Sequence, residues 1–316
     1  MIARTFAFVL FLTLTLGTAP IAWGRPRPIL IVTAVDYEYD AVKGLLAAAR
    51  PSVLGGRPVV EGALGAARLV AIRAGWGKVQ AAGATALAIE RFQPRLVVMA
   101  GVAGGVVEGG VSSGDVVIAA STYQYDLGER MPDQFKVWPP ETPVEQAYGG
   151  GSVFKSSAPE TKLAAAAARR ATLSRWQLPA GCACDKDGRP RPGCAGPPTP
   201  IGNPTPRVCV GTIATADTFL ADRATASRLS RDMNVSAVDM ETAAVAEEAA
   251  NHGLPFVAVR VVGDTIGNGD NEGLYSCLKP QAGARLREVM GRILTAWAAG
   301  DVRDAGPATE PCHPAK

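Results

Sequence analysis

Two stretches, "PRLVVMAGVAGG" (94–105) and "PFVAVRVVGD" (255–264), constrain the fold more than any other part of the chain. Each opens on a proline, continues as a nearly unbroken apolar run rich in valine, and ends in glycines or an acid. A strand with one wet face alternates apolar and polar residues; a strand apolar on both faces has to be covered on both. "RPRPILIVTAV" (25–35), "RLVAIRAG" (68–75), "GDVVIAAST" (114–122) and "RVCVGTIATADTFL" (207–220) read as further strands. Helical segments separate them: "DYEYDAVKGLLAAAR" (36–50), "GKVQAAGATALAIERF" (77–92), "APETKLAAAAARRATLSRW" (158–176) and about 281–299. In the second of these, Val79, Ala82, Gly83, Ala86 and Leu87 fall on one helical face. In the last, Leu286, Val289, Met290, Ile293, Leu294 and Trp297 form a 3.6-period stripe. Strand–helix alternation with doubly apolar strands predicts a single three-layer α/β/α domain around a central sheet. Residues 123–156 read as irregular.

The ends and one internal stretch stand outside this pattern. Residues 1–24 have an early arginine, an apolar run from Phe6 to Leu16 and the exit Ala22-Trp23-Gly24, which reads as a secretory signal peptide. An uncleaved anchor is the alternative. The expected location is exported, either periplasmic or secreted, with no membrane contact in the mature form. Residues 178–207 are rich in Pro and Gly and hold Cys182, Cys184 and Cys194, so they read as a stapled insertion within a domain spanning 25–300. A polar tail follows at 301–316. The remaining cysteines, Cys209, Cys277 and Cys312, bring the count to six. An even count in an exported chain suggests disulfides, although spacing does not fix their pairing. The cysteine spacing is not that of a zinc site, and no metal is expected. A net charge of +3 gives no footprint for nucleic acid.

Familiar fingerprints are missing. "AGVAGGVVEGG" contains no G-x-G-x-x-G, and the chain has no P-loop, no G-x-S-x-G and no H-E-x-x-H. With only His252 and His313 available, carboxylates are the candidates for chemistry. Glu38, Asp239, Glu241 and Asp264 all stand at or just past strand ends, as does Asp217 beside Phe219. In a largely parallel sheet these positions converge on one edge, where ligands bind. The corner "SAVDMETAAVAEEAA" (236–250) is the sharpest case, with Asp239, Met240 and Glu241 in a row where a strand turns into a helix. Glu241 also suits the positive end of that helix dipole.

Six stretches, in order, resemble the nucleoside phosphorylase and nucleosidase superfamily, especially bacterial methylthioadenosine/S-adenosylhomocysteine nucleosidases. They are "ILIVTAVDYEYDAV", "RAGWGKVQAAGAT", "VVMAGVAGGV", "TIATADTFL", "AVDMETAAVAEEA" and "VAVRVVGD". The resemblance implies a phosphorylase/hydrolase-like fold with a central mixed sheet. It also implies roles: Glu38 as the base activating water, and Asp264 as the acid at N7 of the departing purine. Asp239, Met240 and Glu241 would form the ribose-gripping corner, with Glu241 on the hydroxyls. Phe219 would stack on the base, and Ala103-Gly104 would line the pocket. The implied partner is a purine nucleoside with water as co-substrate, no cofactor is needed, and a homodimer or higher homo-oligomer is expected by analogy.

Phosphorolysis is the alternative reaction, with phosphate in place of water. Phosphorylases of the superfamily place an arginine where this chain has Met99, and an apolar side chain cannot pair a dianion. Arg73 is the remaining candidate for phosphate, although a surface strand-end arginine is the plainer reading. A non-catalytic nucleoside binder is a third reading, disfavoured because Glu38 and Asp264 are retained. The chain departs from the nucleosidase pattern at Val102 and Gly263, which replace hydroxyl residues, and at Trp76, which replaces an aliphatic one. Within 123–156 only Tyr125-Asp126 matches.

Overall fold

The computed structural model describes residues 26–133, 135–138, 153–178, 198–267, 271–300 and 310–313. The expected signal peptide, most of the insertion and most of the tail lie outside the described residues. The central sheet is mixed and runs, in order, β13 (Val235–Asp239), β12 (Val208–Thr215), β6 (Val116–Gln124), β14 (Phe256–Thr265), β5 (Leu96–Gly105), β1 (Ile29–Thr33), β4 (Ala67–Arg73), β3 (Arg57–Leu64) and β2 (Ala47–Leu54). β1, β4, β5 and β14 run parallel, as do β12, β13 and β6, while β14 and β6 join antiparallel.

Side-chain alternation along β1 feeds two cores. Ile29 and Ile31 pack with α1 (Asp36–Lys43), α3 (Ala158–Ala168) and α6 (Asn271–Ala299) on one face of the sheet. Leu30 and Val32 pack with α2 (Lys78–Phe92) and α5 (Thr242–Asn251) on the other. α4 (Arg223–Met233) joins a smaller third cluster with Val235 and Val238. Burial of every residue of β14 agrees with its doubly apolar sequence. The expected three-layer architecture is therefore present.

Three local expectations are corrected. The stretch 36–50 is not one helix: α1 stops at Lys43, and Ala47–Leu54 form β2, which pairs antiparallel with β3 (Arg57–Leu64) as an outer hairpin. Alanine's helix propensity loses there to tertiary pairing. In α2 the packed face is Ala81, Ala84, Thr85, Ala88 and Ile89, whereas Val79 and Leu87 are 80% and 43% exposed. Small residues let α2 approach the sheet closely, so the bulkier stripe is the outer one. The region 123–156 contains short strands, β7 (Gly128–Arg130), β8 (Phe135–Val137) and β9 (Val153–Lys155), the last pairing with β6.

The described ends of the insertion, β10 (Trp176–Leu178) and β11 (Thr199–Ile201), form an antiparallel pair. Cys312 is disulfide-bonded to Cys209, and Pro311 bridges to Val210, so residues 310–313 lie along β12. Arg207 adds an ion pair to Glu310 and a hydrogen bond to the Cys312 carbonyl. Cys277 is also disulfide-bonded.

Candidate active site

Strand ends converge on a cavity of about 380 Å³. It is lined from β1–α1 by Val35 and Glu38, from β5 by Val102, Ala103 and Gly104, and from the corner after β13 by Asp239, Met240 and Glu241. Phe219, Asp264, Trp76, Tyr275 and Lys279 complete its other sides. All eight residues named from the sequence as catalytic or substrate-binding thus reach one cavity.

Glu38 is buried at the third position of α1, from which its side chain reaches back to the start of its own helix. Its Oε2 accepts hydrogen bonds from the amides of Ala34 (2.9 Å) and Val35 (3.2 Å), and its Oε1 accepts one from Val102 (2.8 Å). Burial raises its pKa, opposed by the charge of Arg260 and by these three amides. The three accepted hydrogen bonds hold the carboxyl at a fixed point, as a base must be held.

Arg260, in the middle of β14, is the functional residue that sequence reasoning missed. It is fully buried, and its Nη2 pairs with both Asp239 and Glu241 (3.2 Å to the latter), while its Nε donates to Thr242 Oγ1 at 3.0 Å. Its Nη1 has no hydrogen-bond partner among the described residues. A Cβ on Gly101 would lie 2.3 Å from that nitrogen and 2.6 Å from Glu38 Oε1. Only glycine therefore fits between the guanidinium and the candidate base. A charged residue inside an apolar strand run was the available signal, since a buried arginine requires carboxylate partners.

The corner divides its labour. Asp239 accepts from Thr215 Oγ1 (2.6 Å) and from the amides of Glu241 and Thr242, besides pairing with Arg260, so its oxygens anchor the turn. Glu241 accepts from the amide of Gly77 at 3.0 Å. Burial lifts its pKa to about 7, with Arg260 opposing and Asp239 reinforcing the shift. Gly77 has φ +88° and belongs to the "GWGK" turn, where Asp217 accepts from the Lys78 amide at 2.7 Å. Asp126 in turn accepts from the Asp217 amide at 2.8 Å and pairs with Lys78. Asp217 thus braces the turn that holds Glu241.

Asp264 follows a register shift at Gly263 in the β14–β5 ladder, and such a bulge re-aims the next side chain. It is buried, and burial raises its pKa to about 7, opposed only by a hydrogen bond from its own backbone. A carboxyl in that state holds a proton near neutrality and can deliver it. The two departures Val102 and Gly263 are in contact: Val102 Cγ1 lies 2.5 Å from where a Cβ on residue 263 would stand. Met99 is buried within the sheet, and Arg73 pairs with Asp36, neither of which lines the cavity.

Among the described residues no cluster of three or more His, Cys, Asp or Glu residues is arranged to hold a metal. The carboxylates are instead matched by Arg260 and backbone amides, which suits chemistry on an organic substrate.

Comparison with known proteins agrees with this geometry. The family model described as the phosphorylase superfamily matches residues 28–297. The 5′-methylthioadenosine/S-adenosylhomocysteine nucleosidase of Actinobacillus succinogenes is 30% identical over 243 residues, covering 77% of this chain and 86% of that protein. The enzyme of the same name from Mycobacterium bovis is 28% identical, covering 75% and 85%. Among solved structures, such a nucleosidase from Colwellia psychrerythraea in complex with adenine superposes with a TM-score of 0.62 at 23% identity, over 86% of this chain and 96% of that one. The futalosine hydrolase of Helicobacter pylori superposes with a TM-score of 0.65 at 18% identity, over 85% and 97%. These structural likenesses establish the fold; the sequence matches establish kinship. The chain belongs to the phosphorylase superfamily, alongside bacterial 5′-methylthioadenosine/S-adenosylhomocysteine nucleosidases.

Proposed function

We propose that the protein is a purine nucleosidase that hydrolyses the N-glycosidic bond of adenosine-type nucleosides, of the methylthioadenosine/S-adenosylhomocysteine kind, to free base and sugar. One observation carries this reading: two buried carboxylates with different hydrogen-bond partners face the same cavity. Glu38 accepts three backbone hydrogen bonds beside a guanidinium. Asp264 has a pKa near 7, raised by burial. A carboxyl held by three donors suits a base, and one with little but its own backbone to oppose burial suits an acid.

In the step this supports, the bond between C1′ and the purine nitrogen breaks as Asp264 gives its proton to the leaving base. Water adds to C1′, and its proton passes to Glu38. The sugar passes through an oxocarbenium-like state, which nearby carboxylates stabilise. Glu241 accepts from the ribose hydroxyls, Met240 packs on the sugar, and Phe219 stacks on the base. Arg260 keeps Asp239 and Glu241 in place and offers Nη1 towards the Glu38 side.

Hydrolysis is favoured over phosphorolysis because the arginine nearest the site is already matched by two carboxylates. Met99 and Arg73 add no anion-binding group. The deciding assay is adenine release from adenosine and methylthioadenosine without phosphate, repeated with Glu38→Gln. Phosphate-independent release that the substitution abolishes supports the reading; release that requires phosphate overturns it.

Two further proposals belong to the same reading. Export to an oxidising compartment is supported by the Cys209–Cys312 bond; cell fractionation checks it. A homodimer or higher homo-oligomer is supported by apolar side chains left outward, with Trp76 64% and Val79 80% exposed. Light scattering of the purified protein checks this.

A further inference from the structure

Asp264 sits between two points at which a single loop holds β14. Val261 is the last residue that β14 pairs with β6, and residues 112–115 continue along the same edge. The Val262 amide donates to the Asp115 carbonyl at 2.8 Å, and the Gly114 amide donates to the Val262 carbonyl at 2.8 Å. Past the bulge, the Ser113 amide donates to Thr265 Oγ1 at 3.3 Å, and the Ser113 and Thr265 hydroxyls are 3.3 Å apart. That pair is bonded whichever hydroxyl donates. Both residues are buried, and neither lines the cavity.

The loop is fixed in its turn. Asp115 is fully buried and accepts from the amides of Ser112 (3.0 Å) and Arg207 (2.9 Å) and from Asn203 Nδ2 (3.3 Å). Arg285 donates to the Gly114 carbonyl. Gly202, at φ +70°, packs its backbone on the Ser113 carbonyl and leaves no room for a Cβ. The Asp264 carboxyl, by contrast, is hydrogen-bonded among the described residues by its own backbone alone. Its aim is therefore set by the strand on either side of it rather than by partners of its own.

The inference rests on the nucleosidase reading, in which Asp264 is the acid. We propose that Thr265, locked by Ser113, is a positioning residue that keeps the Asp264 carboxyl aimed at the leaving base. Valine at 265 would fill the same space, but it would leave the Ser113 amide unpaired in a buried site and the strand end free to shift.

The test measures kcat and KM for adenine release from methylthioadenosine in the wild type, Thr265→Val, Thr265→Ser, Ser113→Ala, Asp264→Asn and the double variant Thr265→Val/Asp264→Asn. Thr265→Val is expected to lower kcat about 10²-fold, with KM moving far less. Thr265→Ser keeps the hydroxyl and should restore most of that loss. Ser113→Ala should lower kcat by less, because the backbone amide still donates; it carries the test should Thr265→Val not fold. Since Thr265 acts through Asp264, Thr265→Val should add little to Asp264→Asn. An unmoved kcat, full additivity of the two substitutions, or a Thr265→Ser variant as slow as Thr265→Val overturns the proposal. Asp264→Asn turning over as fast as the wild type removes the acid assignment and the proposal with it. A wild type that releases no adenine is a distinct result, which removes the nucleosidase reading on which the proposal rests.

Discussion

Val102 Cγ1 occupies space that a side chain on residue 263 would need, 2.5 Å from the position of its Cβ. The two departures from the family pattern are therefore sterically linked, and a side chain at 263 requires Val102 to give way. Gly263→Ser alone is expected to cost about 1–3 kcal/mol through overpacking. The same substitution with Val102→Ser should recover most of that loss. Urea unfolding of the two single variants and the double variant measures the coupling, and simple additivity would show that the contact does not matter.

Gly101→Ala is expected to keep the fold and lose turnover by more than ~100-fold, since small displacements at a reacting centre have effects of that size. Its new methyl would press on Arg260 Nη1 and Glu38 Oε1. Circular dichroism and a steady-state assay on one sample check both halves of this expectation.

Arg260→Met should destabilise the protein by roughly 3–5 kcal/mol, because it strands buried carboxylates without their counter-charge. Asp239 and Glu241 both lose their ion-pair partner. Thermal and denaturant unfolding should agree; a loss under 1 kcal/mol would show that the pairs are dispensable.

Activity should fall as pH rises through about 7, where Asp264 loses the proton it has to donate. The acid side should be set by Glu38, which works deprotonated and whose pKa is raised by burial. Asp264→Asn should remove the alkaline limb and lower kcat by ~10²–10⁴-fold. Stability follows the same group. Its folded pKa lies above its unfolded one, so its contribution is full below about pH 4 and declines as pH rises towards 7. Asp264→Asn should therefore melt at a higher temperature than the wild type at pH 8, with little difference at pH 4.

Cys312→Ser should lower stability by about 4–5 kcal/mol on a chain-entropy estimate, because the bond closes a loop spanning a separation of 103 residues. Neither cysteine lines the cavity, so turnover per folded molecule should not change. Melting with and without reductant, beside the assay, separates the two effects.

The site was more legible in the sequence than the periphery was. Glu38, Glu241 and Asp264 stand where strands end, and a parallel sheet gathers strand ends whatever its details. Arg260 escaped notice because its meaning depends on Asp239 and Glu241 from another strand end, a pairing that no local pattern encodes. The β2–β3 hairpin was hidden because "LLAAAR" carries helix-forming residues whose strand state is set by pairing with β3. The face of α2 was misassigned for a related reason. Size suggested Val79 and Leu87 as the buried stripe, whereas close packing selected the alanines.

The antiparallel bonds joining Ala237 and Val238 to Gly105 and Gly104 bear on how such a protein can change. They tie the strand that ends in the ribose-gripping corner to the strand that ends in the glycine turn, and β14 ties the latter to Asp264. The reacting parts are thus inherited as one welded block, in which a shift at any point misaligns the rest. Trp76 and Tyr275 stand on a turn and a helix outside those ladders. Substitutions there can redirect the enzyme to a new nucleoside without disturbing bond cleavage, so divergence among relatives should concentrate at the rim.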